Sequence, residues 1–147
     1  MYIFFRMESS LKKKKDLSTG LGALQVFIGL GAVGGGLALV LEPNGSSLGI
    51  PLEILKSTPF STFLVPGIVL LLVNGLGSLV GATASFKRYW CAGEIAIALG
   101  FFLAAWIMLQ VFWFAGFHWL HALFLALGLL ELALGLFLRK VLRRKNY

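Results

Sequence analysis

A chain of 147 residues with 59% hydrophobic and 13% charged residues is too apolar for a water-soluble domain, because such a domain needs polar side chains over its outside. Its net charge of +7 would suit a nucleic acid. However, the basic residues flank apolar stretches and lack interleaved aromatic residues, so nucleic acid is excluded as a partner. The predicted partners are the lipid bilayer and its anionic headgroups.

The first 16 residues form a basic segment with four consecutive lysines at 12–15. Such a run precedes the apolar part of a secretory signal, but the apolar stretch here is too long for one and no small-residue cleavage site follows it. We therefore expect an uncleaved anchor, with either Met1 or Met7 as the first residue.

The first uncharged stretch, residues 17–41, is long enough for one membrane-spanning helix, which needs about 20 residues. The segment that follows begins with Pro, Asn, Gly and Ser residues, which are typical of turns. Residues 48–56 are again apolar, with Pro51 near their start, and they predict a short helix at the membrane interface. A second span is predicted over 61–86, after Pro59.

The last long apolar stretch, residues 95–130, would be about 54 Å long as one helix, against roughly 30 Å of hydrocarbon. It must therefore turn, and residues 115–118 are the only suitable place. This gives spans over 89–114 and 118–138, followed by a basic tail over 139–147. The predicted fold is an all-α transmembrane bundle of four helices.

The charges predict how the bundle lies in the membrane. With four spans, 12 of the 13 Lys and Arg residues fall on one side and Lys56 alone falls on the other. Because cytoplasmic loops carry the excess of Lys and Arg, both termini are expected in the cytoplasm. The protein is expected in the plasma membrane, taken as the inner membrane of a bacterium.

Two carboxylates lie within spans, Glu94 in the third and Glu131 in the fourth. Ionisable groups in hydrocarbon usually face the bundle interior and have partners. They lie about 9 Å and 12 Å from the cytoplasmic ends of their spans, respectively. A polar layer is thus predicted from these two carboxylates and three further side chains: Gln25, Asn74 and Ser78.

This layer has two interpretations. It binds a cation, a shared proton or a polar ligand, or its members satisfy one another and fix the helix register. In the second case Glu94 reaches the interface near Lys87 or Arg88.

A second polar group, Gln110, His118 and His121, is predicted toward the outer face. Two histidines three residues apart could contact one metal ion, but they lack a nearby carboxylate or cysteine, and zinc needs three or four protein ligands. The single cysteine, Cys91, forms no CxxC motif, and no Gly-rich phosphate loop is present. No metal, cofactor or catalytic residue is therefore predicted.

Small residues recur at helical spacing in all four spans, which is typical of helices that approach closely. They are expected to pack the bundle, with contacts in a homo-oligomer or with other membrane subunits as the alternative. These residues are Gly31, Gly35, Gly77, Gly81, Ala92, Ala96, Gly100, Ala104, Gly128 and Gly135.

Residues 48–60, continuing into 63–69, Asn74 and Gly75, resemble a pattern in small uncharacterised bacterial membrane proteins of four spans. The stretch 106–110 fits the same resemblance. It implies a four-span bundle and no particular activity.

Three functions stay open from the sequence. The favoured one is a packing, accessory or interaction subunit, which suits short loops and small-residue stripes. The alternative is a small transporter or ligand-binding protein that uses the intramembrane carboxylates. An intramembrane enzyme, with Glu94 and Glu131 as acid and base, is the least favoured because no nucleophile or substrate is indicated.

Overall fold

The computed structural model describes residues 1–114 and 118–143, and this part of the chain is helical without any strand. The prediction of an all-α fold is confirmed, and four helices are long and apolar enough to cross a membrane. Residues 115–117 of the predicted turn and 144–147 of the predicted tail lie outside the described residues. The four helices are α1 (Tyr2–Leu41), α2 (Leu64–Phe86), α3 (Ala92–Phe114) and α4 (Trp119–Arg143).

Helix α1 has 40 residues, or about 60 Å, which is twice the thickness of the hydrocarbon core. Its first buried residue is Ser18, so the basic segment continues the same helix beyond the packed bundle. The helix ends at Leu41 because Glu42 leaves the helical region (φ −125°, ψ 81°) and Pro43 cannot donate a backbone hydrogen bond.

Two short 3₁₀ helices, Ser46–Leu48 and Leu52–Ser57, connect α1 to α2. The second occupies the position of the predicted interfacial helix, whose place at a membrane surface stays a prediction. The Phe63 amide donates to the Pro43 carbonyl (2.8 Å), which closes the loop, and Phe63 packs with Leu39 and Leu55. We call this end of the bundle, residues 42–63, the distal end. The opposite end, which carries residues 12–15, Lys87, Arg88 and Arg139, is the basic end.

Helix α2 is not uniform. Its middle section, Leu70–Leu76, is a π-helix between two α-helical sections, Leu64–Val69 and Gly77–Phe86. A π turn has one residue more per hydrogen-bonded ring than an α turn, and such turns are frequent at functional sites. Asn74 lies in this section.

Helix α2 runs antiparallel to α1 at close range, because glycines on both helices remove the side chain at the contacts. A Cβ added at Gly36 would lie 2.7 Å from the Leu71 nitrogen, and one at Gly67 would lie 2.8 Å from the Leu39 Cβ. These separations leave no space for a larger residue.

Helices α3 and α4 form the other antiparallel pair, through the small residues of both. A Cβ at Gly100 would lie 2.5 Å from the Leu132 nitrogen and 2.6 Å from the Gly128 carbonyl. Cβ atoms at Gly93 and Gly135 would lie 2.8 Å and 2.9 Å from a facing backbone nitrogen. The other small residues at this seam are Ala92, Ala96 and Ala104. Most of the small-residue stripes are therefore used within the chain.

Gly31 and Gly35 of α1 are different. Among residues 1–114 and 118–143, a Cβ at Gly31 would have only Phe124 within 4 Å, at 3.7 Å, and one at Gly35 only Leu70, at 3.5 Å. These are ordinary contacts with space to spare, so these two glycines border a hollow instead of a seam. On α2, Gly81 gives space to Gln25, and Gly77 lies near Leu99.

Candidate functional site

A chain of hydrogen bonds crosses the interior between α1, α2 and α4. It consists of Ser18, Gln25, Ser85 and Glu131, and none of these side chains is exposed. Ser18 Oγ donates to the Ser85 carbonyl (2.5 Å), and Ser85 Oγ donates to Gln25 Oε1 (2.7 Å). Gln25 Nε2 then donates to Glu131 Oε1 (3.0 Å).

Glu131 is the end of this chain. Its Oε1 accepts from Gln25, whereas its buried Oε2 has no hydrogen-bond partner among residues 1–114 and 118–143. Gly81 makes the arrangement possible, since a Cβ there would lie 2.9 Å from Gln25 Nε2. No described Lys or Arg forms an ion pair with Glu131.

Glu94 lies apart from this chain, near the basic end. Its Oε1 is 3.5 Å from Arg139 Nε and 3.4 Å from Arg143 Nη2, and about a third of its side chain is exposed. Its partners thus come from α4 and not from Lys87 or Arg88, because the close α3–α4 seam brings the last turn of α4 beside the first turn of α3.

The five residues predicted as one layer are therefore divided. Gln25 and Glu131 are in contact, and Glu94 pairs with arginines. Asn74 and Ser78 are buried on α2 and, within the described chain, form no hydrogen bond with either carboxylate. Sequence reasoning did not assign Ser18 to the site. The spacing of seven between Ser18 and Gln25, which places them on one helix face, was the available signal.

A cavity of about 250 Å³ lies toward the distal end, and we call it the distal cavity. Its wall is mainly apolar and includes Gly31 and Gly35 of α1, Leu70 of α2 and Phe124 of α4. The two glycines account for the empty space, since no side chain projects from α1 at these positions. Gly31 and Leu120 in the wall are exposed, so the cavity opens sideways between α1 and α4.

Polar side chains from three helices also line the distal cavity: Asn74, Trp106, Gln110 and His121. Asn74 is 1% exposed, and its Nδ2 has no hydrogen-bond partner in the described chain. The buried indole Nε1 of Trp106 has none there either. Both atoms are donors, so two residues of the wall carry a buried N–H without an acceptor in the described chain.

The predicted outer group is linked through His121. His118 Nδ1 accepts from the Leu120 amide (3.4 Å), and His121 Nδ1 accepts from the His118 amide (3.0 Å). This reciprocal pattern resembles a capping box at the start of α4 and satisfies amides that have no partner within the helix. Gln110 lines the distal cavity together with His121. Within the described residues, no group of three or more His, Cys, Asp and Glu side chains could hold a metal.

Comparison of the chain with protein-family models, with curated proteins and with solved structures finds no match. The site is therefore interpreted from its own geometry. It is a mainly apolar cavity lined by two residues whose buried donors lack a partner in the described chain.

Proposed function

We propose that this chain is an integral membrane protein that binds a small apolar molecule bearing a hydrogen-bond acceptor. The observation that supports it is the distal cavity, whose mainly apolar wall includes Asn74 and Trp106, two residues with a buried donor that has no partner in the described chain. In this proposal all four helices cross the bacterial inner membrane with the basic end and both termini in the cytoplasm. The charge distribution of 12 against 1 supports that orientation.

The volume limits the ligand. About 250 Å³ is less than the roughly 300–1,000 Å³ of pockets for drug-sized molecules. It is more than the cavity of about 150 Å³ that holds benzene in an engineered protein. The ligand, or the part of it that enters, is thus one or two fused rings or a short branched chain.

The two donors determine which polar group the ligand must carry. A buried donor without a partner costs about 1–3 kcal/mol, so an acceptor that reaches Asn74 or Trp106 recovers part of that cost. Each donor supplies an N–H and can bond to a carbonyl or ether oxygen. A ring ketone or quinone meets the requirements of size, apolar body and acceptor together.

The sideways opening sets the route. Gly31 and Leu120 lie on the outer surface of the bundle, which in the proposed orientation contacts lipid chains. A ligand would therefore enter from the hydrocarbon, where apolar molecules concentrate. The ligand would not have to pass through water to reach the cavity.

The test uses 2,3-dimethyl-1,4-naphthoquinone as probe and 2,3-dimethylnaphthalene as the hydrocarbon of the same shape. The quinone is fully substituted and so does not alkylate Cys91. Binding to the full chain in detergent is measured by quenching of tryptophan fluorescence and by equilibrium dialysis. Asn74→Leu should weaken quinone binding about tenfold and leave hydrocarbon binding within twofold.

Two cavity-filling variants provide the matched comparison. Gly31→Leu and Gly35→Leu should each weaken binding of both probes at least tenfold. Gly34→Leu, between them on α1 with no described atom within 4 Å of its Cβ, should have no effect. Equal binding by all four proteins would mean partition into detergent and would refute the proposal.

Proton or cation transport through Glu131 is the second candidate. The buried Oε2 without a partner supports it, because such a carboxyl can hold a proton or a cation. Glu131→Gln should then abolish flux in proteoliposomes, and unchanged flux would exclude this role.

The accessory-subunit hypothesis also stays a prediction, although most of the small residues that motivated it are occupied within the bundle. An enzyme with Glu94 and Glu131 as a pair is not proposed, since each has its own partners.

A further inference from the structure

An open cleft of about 700 Å³ lies at the basic end, far from the distal cavity. We call it the basic cleft. Four cations line it, Lys12, Lys14 and Lys15 from α1 and Arg88 from the turn after α2, and Glu8 is its one acidic residue. An anion in this cleft would therefore meet a clear excess of positive charge.

These cations are available to a ligand. Among residues 1–114 and 118–143, the ion pairs are those of Glu94 with Arg139 and Arg143, and none involves a cation of the basic cleft. Glu8 lies one turn before Lys12 but is not within ion-pair distance of it. The positive charge of the cleft is thus not neutralised by the described chain.

Arg88 has an unusual backbone that places it there. Its φ is 56°, and it is the one non-glycine residue with positive φ in the described chain. Its amide donates to the Ser85 carbonyl, and the Tyr89 amide donates to the Ala84 carbonyl, both at 3.0 Å. This pair of bonds defines a Schellman motif, in which the left-handed position is usually glycine.

An arginine at that position bears a steric cost that glycine would not. Backbone strain of this kind is often found where a side chain has a function. Here the strained residue is the one cleft cation that does not come from α1, so it completes the cationic wall from the opposite side.

The remaining wall is apolar or neutral. Leu11 of α1 and Leu142 of α4 line the cleft, and Ser18, the first buried residue of α1, lies at its base. Cations beside leucines fit a molecule with an anionic head and an apolar body. This combination distinguishes the cleft from a uniformly solvated basic surface.

We infer that the basic cleft binds the phosphate group of an anionic amphiphile, with Arg88 as the specific contact and the lysines as point charges. A guanidinium can donate two parallel hydrogen bonds to one phosphate, which an ammonium cannot. The phosphate belongs either to a lipid headgroup or to a free phosphate ester, and the measurement separates the two.

The full chain in dodecyl maltoside is titrated with dihexanoyl-phosphatidylglycerol below its critical micelle concentration, with binding followed by calorimetry. Dihexanoyl-phosphatidylcholine is the zwitterionic comparison, and glycerol 3-phosphate is the soluble one. We expect phosphatidylglycerol to bind at least tenfold more tightly than either. Equal affinity for the two lipids would overturn the inference, and equal affinity for glycerol 3-phosphate would assign the cleft to a free phosphate ester.

Arg88→Gly is the decisive variant, because it removes the guanidinium while relieving the backbone. We expect about a tenfold loss of phosphatidylglycerol affinity with a melting temperature that is unchanged or higher. Lys140→Gln, at the same end but outside the cleft, removes the same charge and should change the affinity less than twofold. Equal effects of the two variants would mean that the affinity depends only on the overall positive charge of the basic end, and would overturn the proposed site.

Two variants on the exposed part of α1 test the cleft without altering the turn that contains Arg88. Lys12→Gln combined with Lys15→Gln should weaken binding about tenfold or more, and Glu8→Gln should strengthen it by a fewfold. Failure of both to change the affinity would equally overturn the site. None of these residues lines the distal cavity, so the quinone measurements and the lipid measurements fail or succeed separately.

Discussion

Alanine in place of Gly100 tests the packing of the α3–α4 pair. The added Cβ would lie 2.5 Å from the Leu132 nitrogen and 2.6 Å from the Gly128 carbonyl, whereas ordinary contact begins near 3.4 Å. Both obstacles are backbone atoms and cannot rotate away, so the two helices must separate by about 0.9 Å. A gap of 0.5–1 Å loses about a quarter to a half of each atomic contact along the seam.

The expected cost is about 1–3 kcal/mol, the usual range for overpacking. Alanine also favours a helix over glycine by about 1 kcal/mol, which hides part of this cost. Gly34→Ala is the matched control, because its Cβ would meet nothing within 4 Å in the part of the chain that the structure describes and the gain in helix propensity is similar. The difference between the two variants therefore isolates the overpacking.

Unfolding in dodecyl maltoside with increasing dodecyl sulfate, followed by circular dichroism and tryptophan fluorescence, measures this difference. Gly100→Ala should unfold at a lower dodecyl sulfate fraction than Gly34→Ala, with a free energy of unfolding about 1–3 kcal/mol smaller. If the two variants unfold together, the helices are not in backbone contact at Gly100 and the described seam is wrong.

Three further predictions concern polar side chains. Glu131→Gln keeps the side-chain shape and the oxygen that accepts from Gln25, so it should change the free energy of unfolding by less than about 1 kcal/mol. Glu131→Leu leaves the Gln25 amide without its acceptor and should lower the free energy of unfolding by about 1–3 kcal/mol in the same assay. Hydrogen bonds from Ser46, and secondarily from Ser47, lower the pKa of Glu42, so Ser46→Ala should raise that pKa toward its ordinary value in a ¹³C NMR titration. These bonds stabilise the fold above the ordinary pKa of Glu42, and the contribution is lost as the pH falls through the lowered value; an unchanged titration would contradict the contact. Glu94→Gln should lower the free energy of unfolding by at most about 1 kcal/mol at low salt and by less at high salt, because the ion pairs are partly exposed; a large, salt-independent loss would contradict this.

The helix count could be derived from the sequence because hydrocarbon thickness limits how long an uncharged stretch can be before it must turn. The same argument says nothing about residues 1–16. Charged and polar side chains are compatible with a helix in water, so α1 continues through them although they carry no apolar periodicity.

The contact between Gln25 and Glu131 could be predicted from the sequence, since both residues lie at a similar depth and buried polar groups need partners. The separation of Asn74 from them is one of depth. Asn74 and Ser85 are both buried on α2, but 11 residues, or about 16 Å of helix, separate Asn74 from the serine that bonds Gln25. The distal cavity could not be predicted from the sequence. Gly31 and Gly35 have the same spacing as the glycines that pack closely, and only the residues that face them in the fold show that they border empty space.

The π section of α2 lies between two close approaches to α1, Gly67 against Leu39 on one side and Leu79 against Gly29 on the other. The extra residue of the wider turn is therefore held between two contacts that cannot shift independently. Deleting one residue there would rotate the part of α2 beyond it by about 100°. Ser85 would then turn away from Gln25, so the irregular turn keeps the contacts at the two ends of α2 in register.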